Sequence, residues 1–93
     1  MELTEQQELL LRVIRELHQE EGQSLTYEMV LRKLVHEPDA TSLWYFYAGD
    51  SGVVQSDEVR GDLRILLDAG LVKVNQRERL VPTAARSGKP PVP

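Results

Sequence analysis

Three amphipathic segments, each with its own start and stop signal, constrain what this chain can fold into. The first covers residues 4–21, and its apolar side chains recur every three or four residues, as in a helix with one buried face. Its stripe comprises Leu3, Leu10, Val13, Ile14 and Leu17. Thr4 followed by Gln7 has the pattern of a capping box, and Gly22 provides the stop. This segment is therefore predicted to be a helix.

The second and third segments have start and stop signals of the same kind. The second begins near Thr26, and Pro38 forbids its continuation. The third covers about residues 56–69, with Ser56 as a good N-cap and Gly70 as the stop. Its buried stripe comprises Val59, Leu63, Leu66 and Leu67. Three core helices are therefore expected.

The sequence after the third helix predicts a β-hairpin with a polar tip. Residues 71–74 and 79–81 are short apolar-rich stretches on either side of Asn75-Gln76-Arg77-Glu78. Three of the five prolines lie in residues 87–93, which predicts a disordered or extended tail. We therefore expect one domain over residues 1–86, mainly α with a small β-hairpin, followed by a proline-rich tail.

Composition argues against several classes of function. The chain has 93 residues and no cysteine, so it carries no disulfide, thiolate metal site or cysteine nucleophile. His18 and His36 lack a recognised metal-ligand spacing, and no glycine-rich phosphate loop or cofactor motif is present. The sequence therefore predicts no enzyme activity, no metal and no cofactor.

The tetrapeptide GDSG at residues 49–52 also surrounds the nucleophile of chymotrypsin-like proteases. That fold is a double β-barrel far larger than this chain, whereas the present sequence is mostly helical. A turn with two glycines accounts for the tetrapeptide fully. We interpret it as a turn.

The charge is unevenly distributed along the chain. Net charge is −4, yet residues 1–49 carry nine acids and four bases, whereas residues 50–93 carry six acids and seven bases. An acidic protein repels nucleic acid at long range, but a local basic edge can still dock on phosphate. No apolar run is long enough to span a bilayer, and no secretory signal is visible. We expect a cytoplasmic protein without a membrane partner.

The stretches VRGDLRILLDAGLVKV (59–74) and RLVPTAAR (79–86) resemble the winged helix-turn-helix superfamily, as found in small bacterial or archaeal transcription regulators. The matching positions are Leu63, Leu66, Gly70, Leu71, Val72, Leu80, Val81 and Pro82. The resemblance implies a recognition helix at about 56–69 and a wing at about 71–81. It also implies double-stranded DNA as the partner, a role in transcription regulation and a homodimer that presents two wings.

On this resemblance, two groups of residues would contact DNA. Arg60, Gly61 and Arg64 lie on the exposed side of the third helix, which would enter the major groove. Lys73, Arg77 and Arg79 lie on or near the hairpin and would contact the DNA backbone. Other interpretations stay open, because Asp57 and Asp68 are spaced to pair with the two helix arginines and an exposed hairpin is ordinarily charged.

The chain departs from the resemblance between its second and third helices. About 19 residues separate His36 from Ser56, where a helix-turn-helix has a short turn. A connection of that length needs structure of its own, so we expect a short extra helix that begins at Asp39 and continues through Ala48.

This insertion contains four of the five aromatic residues, in the run Trp44-Tyr45-Phe46-Tyr47. Three interpretations are open: cover for the core, a contact surface for a partner or dimer mate, and a platform for stacked bases. Trp44, Tyr45 and Tyr47 are the candidate contact residues. The alternative function is therefore a protein–protein interaction module that uses residues 42–48 to bind a partner.

Overall fold

The computed structural model describes residues 2–83, which form three α-helices and two small antiparallel hairpins. The helices are α1 (Glu5–Glu21), α2 (Tyr27–Leu34) and α3 (Asp57–Asp68). The strands are β1 (Tyr47–Ala48), β2 (Val54–Gln55), β3 (Val72–Val74) and β4 (Leu80–Pro82), and single turns of 3₁₀ helix lie at Gly22–Ser24 and Ala40–Ser42. The predicted class, mainly α with a small β-hairpin, is confirmed. The end of the expected domain, residues 84–86, and the predicted tail lie outside the described residues.

Each helix begins at the hydroxyl residue that the sequence indicated. The Thr4 hydroxyl accepts a hydrogen bond from the Gln7 backbone N–H at 3.2 Å, and the Gln7 side chain accepts one from the Thr4 N–H at 3.0 Å. Thr26 and Ser56 cap α2 and α3 with their side-chain oxygens. These contacts satisfy backbone donors that have no partner inside the helix, which fixes where each helix starts.

The core is built around α1, which packs against α2, α3 and β4. Its fully buried side chains include Leu10, Val13 and Ile14. The other elements contribute the fully buried residues Leu25, Val30, Leu34, Val59 and Leu66. Most of the core is aliphatic. The large aromatic side chain buried in it is that of Trp44, and a side chain of this size strongly affects how the core packs.

The hairpin after α3 is confirmed, with Lys73 paired to Val81 in antiparallel register. The N–H of Leu80 donates to the carbonyl of Leu25 at 2.8 Å. This bond ties β4 to the segment between α1 and α2. The Thr83 N–H donates to the Leu71 carbonyl at 3.0 Å, which anchors the end of the hairpin next to its beginning. These hydrogen bonds therefore hold the base of the hairpin against the helical part of the protein.

The insertion differs from its prediction. The expected helix from Asp39 to Ala48 is limited to the single 3₁₀ turn at Ala40–Ser42. The Trp44 N–H donates to the Ala40 carbonyl at 3.0 Å, and strand structure begins only at Tyr47. β1 then pairs with β2, with Tyr47 opposite Gln55, and GDSG forms the connecting turn in which Gly52 adopts a φ of 81°. Aromatic rings two residues apart lie together, Trp44 with Phe46 and Tyr45 with Tyr47.

We expect Ser56→Ala to lower the free energy of unfolding by about 1 kcal/mol, because α3 would lose its buried N-cap. Urea denaturation followed by circular dichroism measures the change. Ser51→Ala, in the exposed hairpin turn, is the matched control and should alter stability by less than about 0.5 kcal/mol. Equal losses in the two variants would contradict the assignment of Ser56 as the cap.

Candidate functional site

The aromatic run alternates between core and surface. Trp44 is only 4% exposed, and its ring meets that of the partly buried Phe46 edge to face, with centroids 6.5 Å apart. Tyr45 is 70% exposed and stacks on Tyr47, with centroids 6.1 Å apart and an interplanar angle of 24°. Rings two residues apart therefore share a side: Trp44 and Phe46 cover the core, and Tyr45 and Tyr47 form a pair at the surface.

This arrangement changes the candidate contact set. Trp44 was expected to be a partner contact along with Tyr45 and Tyr47, but its ring lies in the core and offers no surface to a partner. Its indole N–H is satisfied inside the protein, as a buried indole requires. Tyr45 and Tyr47 therefore supply the aromatic surface of this segment.

Three carboxylates of α3 hold the aromatic run in place. The Trp44 Nε1–H donates to Asp62 Oδ2 at 2.8 Å, and the Tyr45 backbone N–H donates to Glu58 Oε1 at 2.7 Å. The Tyr47 hydroxyl donates to Asp57 Oδ1 at 3.1 Å. Hydrogen bonds to ionised acceptors are stronger than neutral ones, so the insertion is docked along the first half of α3.

Asp62 also connects this segment to α1. Its second carboxylate oxygen accepts a hydrogen bond from Gln7 Nε2 at 3.2 Å, and Gln7 is 6% exposed. The Gln7 side chain in turn belongs to the capping box with Thr4. One carboxylate thus joins the start of α1, the middle of α3 and the buried indole of Trp44.

The outward side of α3 carries the predicted Arg60, Gly61 and Arg64, all exposed. The Arg60 guanidinium lies over the Tyr27 ring, 5.3 Å from its centroid, and a cation–π contact of this kind orients the arginine without removing it from water. A Cβ at Gly61 would have no atom within 4 Å, so that position is open. The predicted pair of Arg64 with Asp68 is present at 3.9 Å, long enough to constrain Arg64 weakly.

The hairpin carries the other three predicted bases. Lys73 and Arg77 are exposed, whereas Arg79 is half-buried and its Nη1 donates to the Arg77 carbonyl at 2.8 Å. The Asn75 side-chain oxygen accepts hydrogen bonds from the backbone N–H groups of Arg77 and Arg79, at 2.9 and 3.0 Å. The tip is therefore an ordered turn, with Lys73 and Arg77 free to contact an external group and Arg79 partly engaged in holding its shape.

Two tyrosines beside α3 have perturbed acidity. The hydrogen bond to Asp57 raises the pKa of Tyr47 above its usual value, because the carboxylate favours the protonated phenol. Burial raises the pKa of Tyr27, and the nearby Arg60 charge opposes that rise. Both phenols are therefore neutral hydrogen-bond donors at physiological pH, and Tyr27 donates to the Ser56 carbonyl at 3.3 Å.

Several of these partners were not identified from the sequence. One open interpretation paired Asp57 with Arg60, but Asp57 accepts from Tyr47. Glu58, Asp62, Gln7 and Tyr27 were not predicted as part of the site. The Asp62 contacts join residues 18 and 55 positions apart in the chain. Helical periodicity gives no signal for contacts of that range.

Comparison of the chain with protein-family models, curated proteins and solved structures finds no match. Within residues 2–83, no three His, Cys, Asp or Glu side chains are grouped so that they could hold a metal ion. None of the helices described over that range is long and apolar enough to cross a bilayer.

We expect Asp62→Ala to destabilise the fold by about 1–3 kcal/mol, because it leaves the Trp44 indole N–H and the Gln7 amide without their acceptor. Urea denaturation monitored by fluorescence of the one tryptophan and by circular dichroism tests this. Asp68→Ala removes an exposed carboxylate from the same helix and should change stability by less than about 0.5 kcal/mol. Similar costs for the two variants would contradict the linking role of Asp62.

The Tyr47 contact has a distinct pH signature. Since the folded-state pKa of this phenol lies above 10.0, the contact contributes fully at neutral pH and is lost as pH rises through the raised value. Asp57→Ala should lower the pKa of Tyr47, and Glu58→Ala, which removes a neighbouring carboxylate, should leave it unchanged. Titration of the tyrosine ring resonances by NMR measures both, and an unaltered Tyr47 pKa in Asp57→Ala would argue against the hydrogen bond.

Proposed function

We propose that this chain is a winged helix-turn-helix domain that binds double-stranded DNA and regulates transcription in the cytoplasm. The proposal assigns α3 as the recognition helix and the β3–β4 hairpin as the wing. Its architectural support is the order of elements, with two helices before α3 and a hairpin immediately after it, tied back to Leu25. Fold alone does not specify function, so the assignment depends on the surface of α3 and the hairpin.

The observation that carries the proposal is the way α3 divides its charged residues. Asp57, Glu58 and Asp62 accept hydrogen bonds from the aromatic run, whereas Arg60 lies over the Tyr27 ring and Arg64 makes one weak pair with Asp68 at 3.9 Å, and both arginines are exposed. Contacts within the protein thus account for the presence of these three acids on the helix. The two arginines are then the side chains of α3 whose hydrogen-bond donors are available to base edges. Hydrogen bonds from arginine to O6 and N7 of guanine are the commonest specific contact in the major groove.

The hairpin adds a sequence-independent component. Lys73 and Arg77 are exposed on an ordered turn close in sequence to the end of α3. Contacts of this kind with phosphates position a protein on the duplex without reading sequence. A homodimer would present two helices and two wings, so the number of phosphate contacts would double along with the net charge of −4 per chain.

We expect Arg77→Ala to weaken binding to any duplex by about fivefold and to reduce the slope of log affinity against log salt by about 1, since one phosphate contact is lost. Arg60→Ala should instead weaken binding to a selected site by about 1–3 kcal/mol while changing non-specific binding much less. Fluorescence anisotropy with a labelled duplex at several salt concentrations measures these effects.

Arg15→Ala is the matched control for this experiment. It removes one exposed positive charge from α1, outside the proposed interface, and should leave both affinity and salt slope nearly unchanged. If the wild-type protein does not bind duplex even at low salt, where non-specific binding is strongest, the DNA proposal fails. Equal losses for Arg15→Ala and Arg77→Ala would show a general charge effect rather than a defined interface.

A second candidate is a protein–protein interaction module, and the exposure of Tyr45 favours it. Among residues 2–83, Tyr45 and Val74 are the large hydrophobic side chains that remain exposed. Tyrosines are enriched at the energetic centres of interfaces, and a stacked pair loses little conformational entropy on binding. In this form of the alternative, Tyr45 and Tyr47 carry the contact, and Trp44 supports them from the core.

A further inference from the structure

The stacked tyrosines and the neighbouring carboxylates form one surface, which we define as the tyrosine patch: Tyr45, Tyr47, Asp57 and Glu58. Tyr45 is 70% exposed, so its ring is open to solvent on the side away from Tyr47. Tyr47 is half-buried beneath it, and aromatic side chains are what proline-rich peptides dock on. The proposed DNA contacts use none of these four residues.

The two carboxylates give the patch a negative charge with acceptors to spare. Asp57 and Glu58 each use one oxygen, accepting from the Tyr47 hydroxyl and the Tyr45 N–H respectively. Within the described part of the chain, the other oxygen of each accepts no side-chain hydrogen bond. The patch therefore suits a ligand that combines a rigid apolar surface with a positive charge.

The sequence beyond Thr83 has this chemistry. It reads AARSGKPPVP over residues 84–93, in which Pro90 and Pro93 have the P-x-x-P spacing and Lys89 directly precedes them. P-x-x-P segments adopt a polyproline II helix that docks on aromatic-lined grooves, because little entropy is lost when a stiff segment binds. Arg86 and Lys89 supply two positive charges and the segment has no acid.

The length of this segment matches the distance to be spanned. The Thr83 N–H donates a hydrogen bond to the carbonyl of Leu71, which lies just beyond the C-terminal end of α3. The tyrosine patch lies at the N-terminal end of the same helix. The 12 residues of α3 span about 18 Å at 1.5 Å per residue. Seven residue steps, the number from Thr83 to Pro90, would cover about 22 Å in a polyproline II helix at 3.1 Å per residue. The proline motif is therefore long enough to reach the patch on its own chain.

We propose that residues 86–93 dock on the tyrosine patch of the same chain. Pro90 and Pro93 pack against the exposed ring of Tyr45, and Lys89 pairs with Asp57 or Glu58. The contact requires no ligand and uses none of the residues proposed to contact DNA, although Arg60 lies close enough to Tyr47 to oppose the rise of its pKa.

A spin label tests the proposal on the full chain. The protein has no cysteine, so Ser87→Cys provides one attachment point close to the proline motif. We expect the label to remove most of the amide NMR signal of Tyr45, Asp57 and Glu58. Adding Tyr45→Ala should restore those signals, and so should Pro90→Ala with Pro93→Ala, which removes the stiffness of the motif. The control Val74→Ala, at an exposed apolar residue of the hairpin, should leave the signal loss unchanged.

Two results would overturn the proposal. Signal loss at the patch that persists in Tyr45→Ala and in the double proline variant would mean that the segment passes nearby without docking. Loss that also appears in isotope-labelled protein mixed with unlabelled, spin-labelled protein would place the segment of a second copy on the patch. Both measurements are made without DNA, so failure here leaves the DNA proposal untouched, and absence of duplex binding leaves this one untouched.

Discussion

The carboxylate of Asp62 is the contact on which the arrangement of the insertion depends. It accepts from the buried indole of Trp44 and from the amide of Gln7, and so joins three parts of the chain at one point. A buried indole N–H without an acceptor is costly, and this cost favours the one geometry in which Trp44 reaches α3. With Trp44 fixed there, Tyr45 lies on the surface and Phe46 packs against the core.

Contacts with the aromatic run account for three of the four acids of α3. Asp57, Glu58 and Asp62 each accept a hydrogen bond from that run, whereas Asp68 pairs with Arg64 at 3.9 Å. Arg60 lies over Tyr27. Both arginines stay exposed, and this exposure is the main physical support for the proposed nucleic-acid surface on a chain with a net charge of −4.

The two proposals use different side chains of the same helix. DNA binding uses the outward arginines together with the hairpin, whereas docking of the proline-rich segment uses the tyrosines at the first turn. The insertion supplies the second surface and adds little to the core, since only Trp44 and Phe46 of its four consecutive aromatic residues face inward. A small domain can carry two surfaces in this way, because an extended strand presents one set of side chains to each side.

The sequence by itself determined those elements whose signals are local. Thr4, Thr26 and Ser56 mark the helix starts through hydroxyl caps, and the apolar stripes of α1 and α3 identify their buried faces. The β3–β4 hairpin also follows from neighbouring residues, as does the Arg64–Asp68 pair one helical turn apart. Each of these depends on interactions across a few residues, which spacing alone encodes.

Only the tertiary structure decided the form and role of the insertion. Residues 44–47 fit a short helix by length, yet they are not helical, and α3 provides the acceptor for Trp44 and the carboxylates for its neighbours. Those partners are 10 to 18 residues away along the chain, with Gln7 farther still. Local pattern carries no information about contacts at that separation, so it could name the aromatic residues but not tell which would be buried.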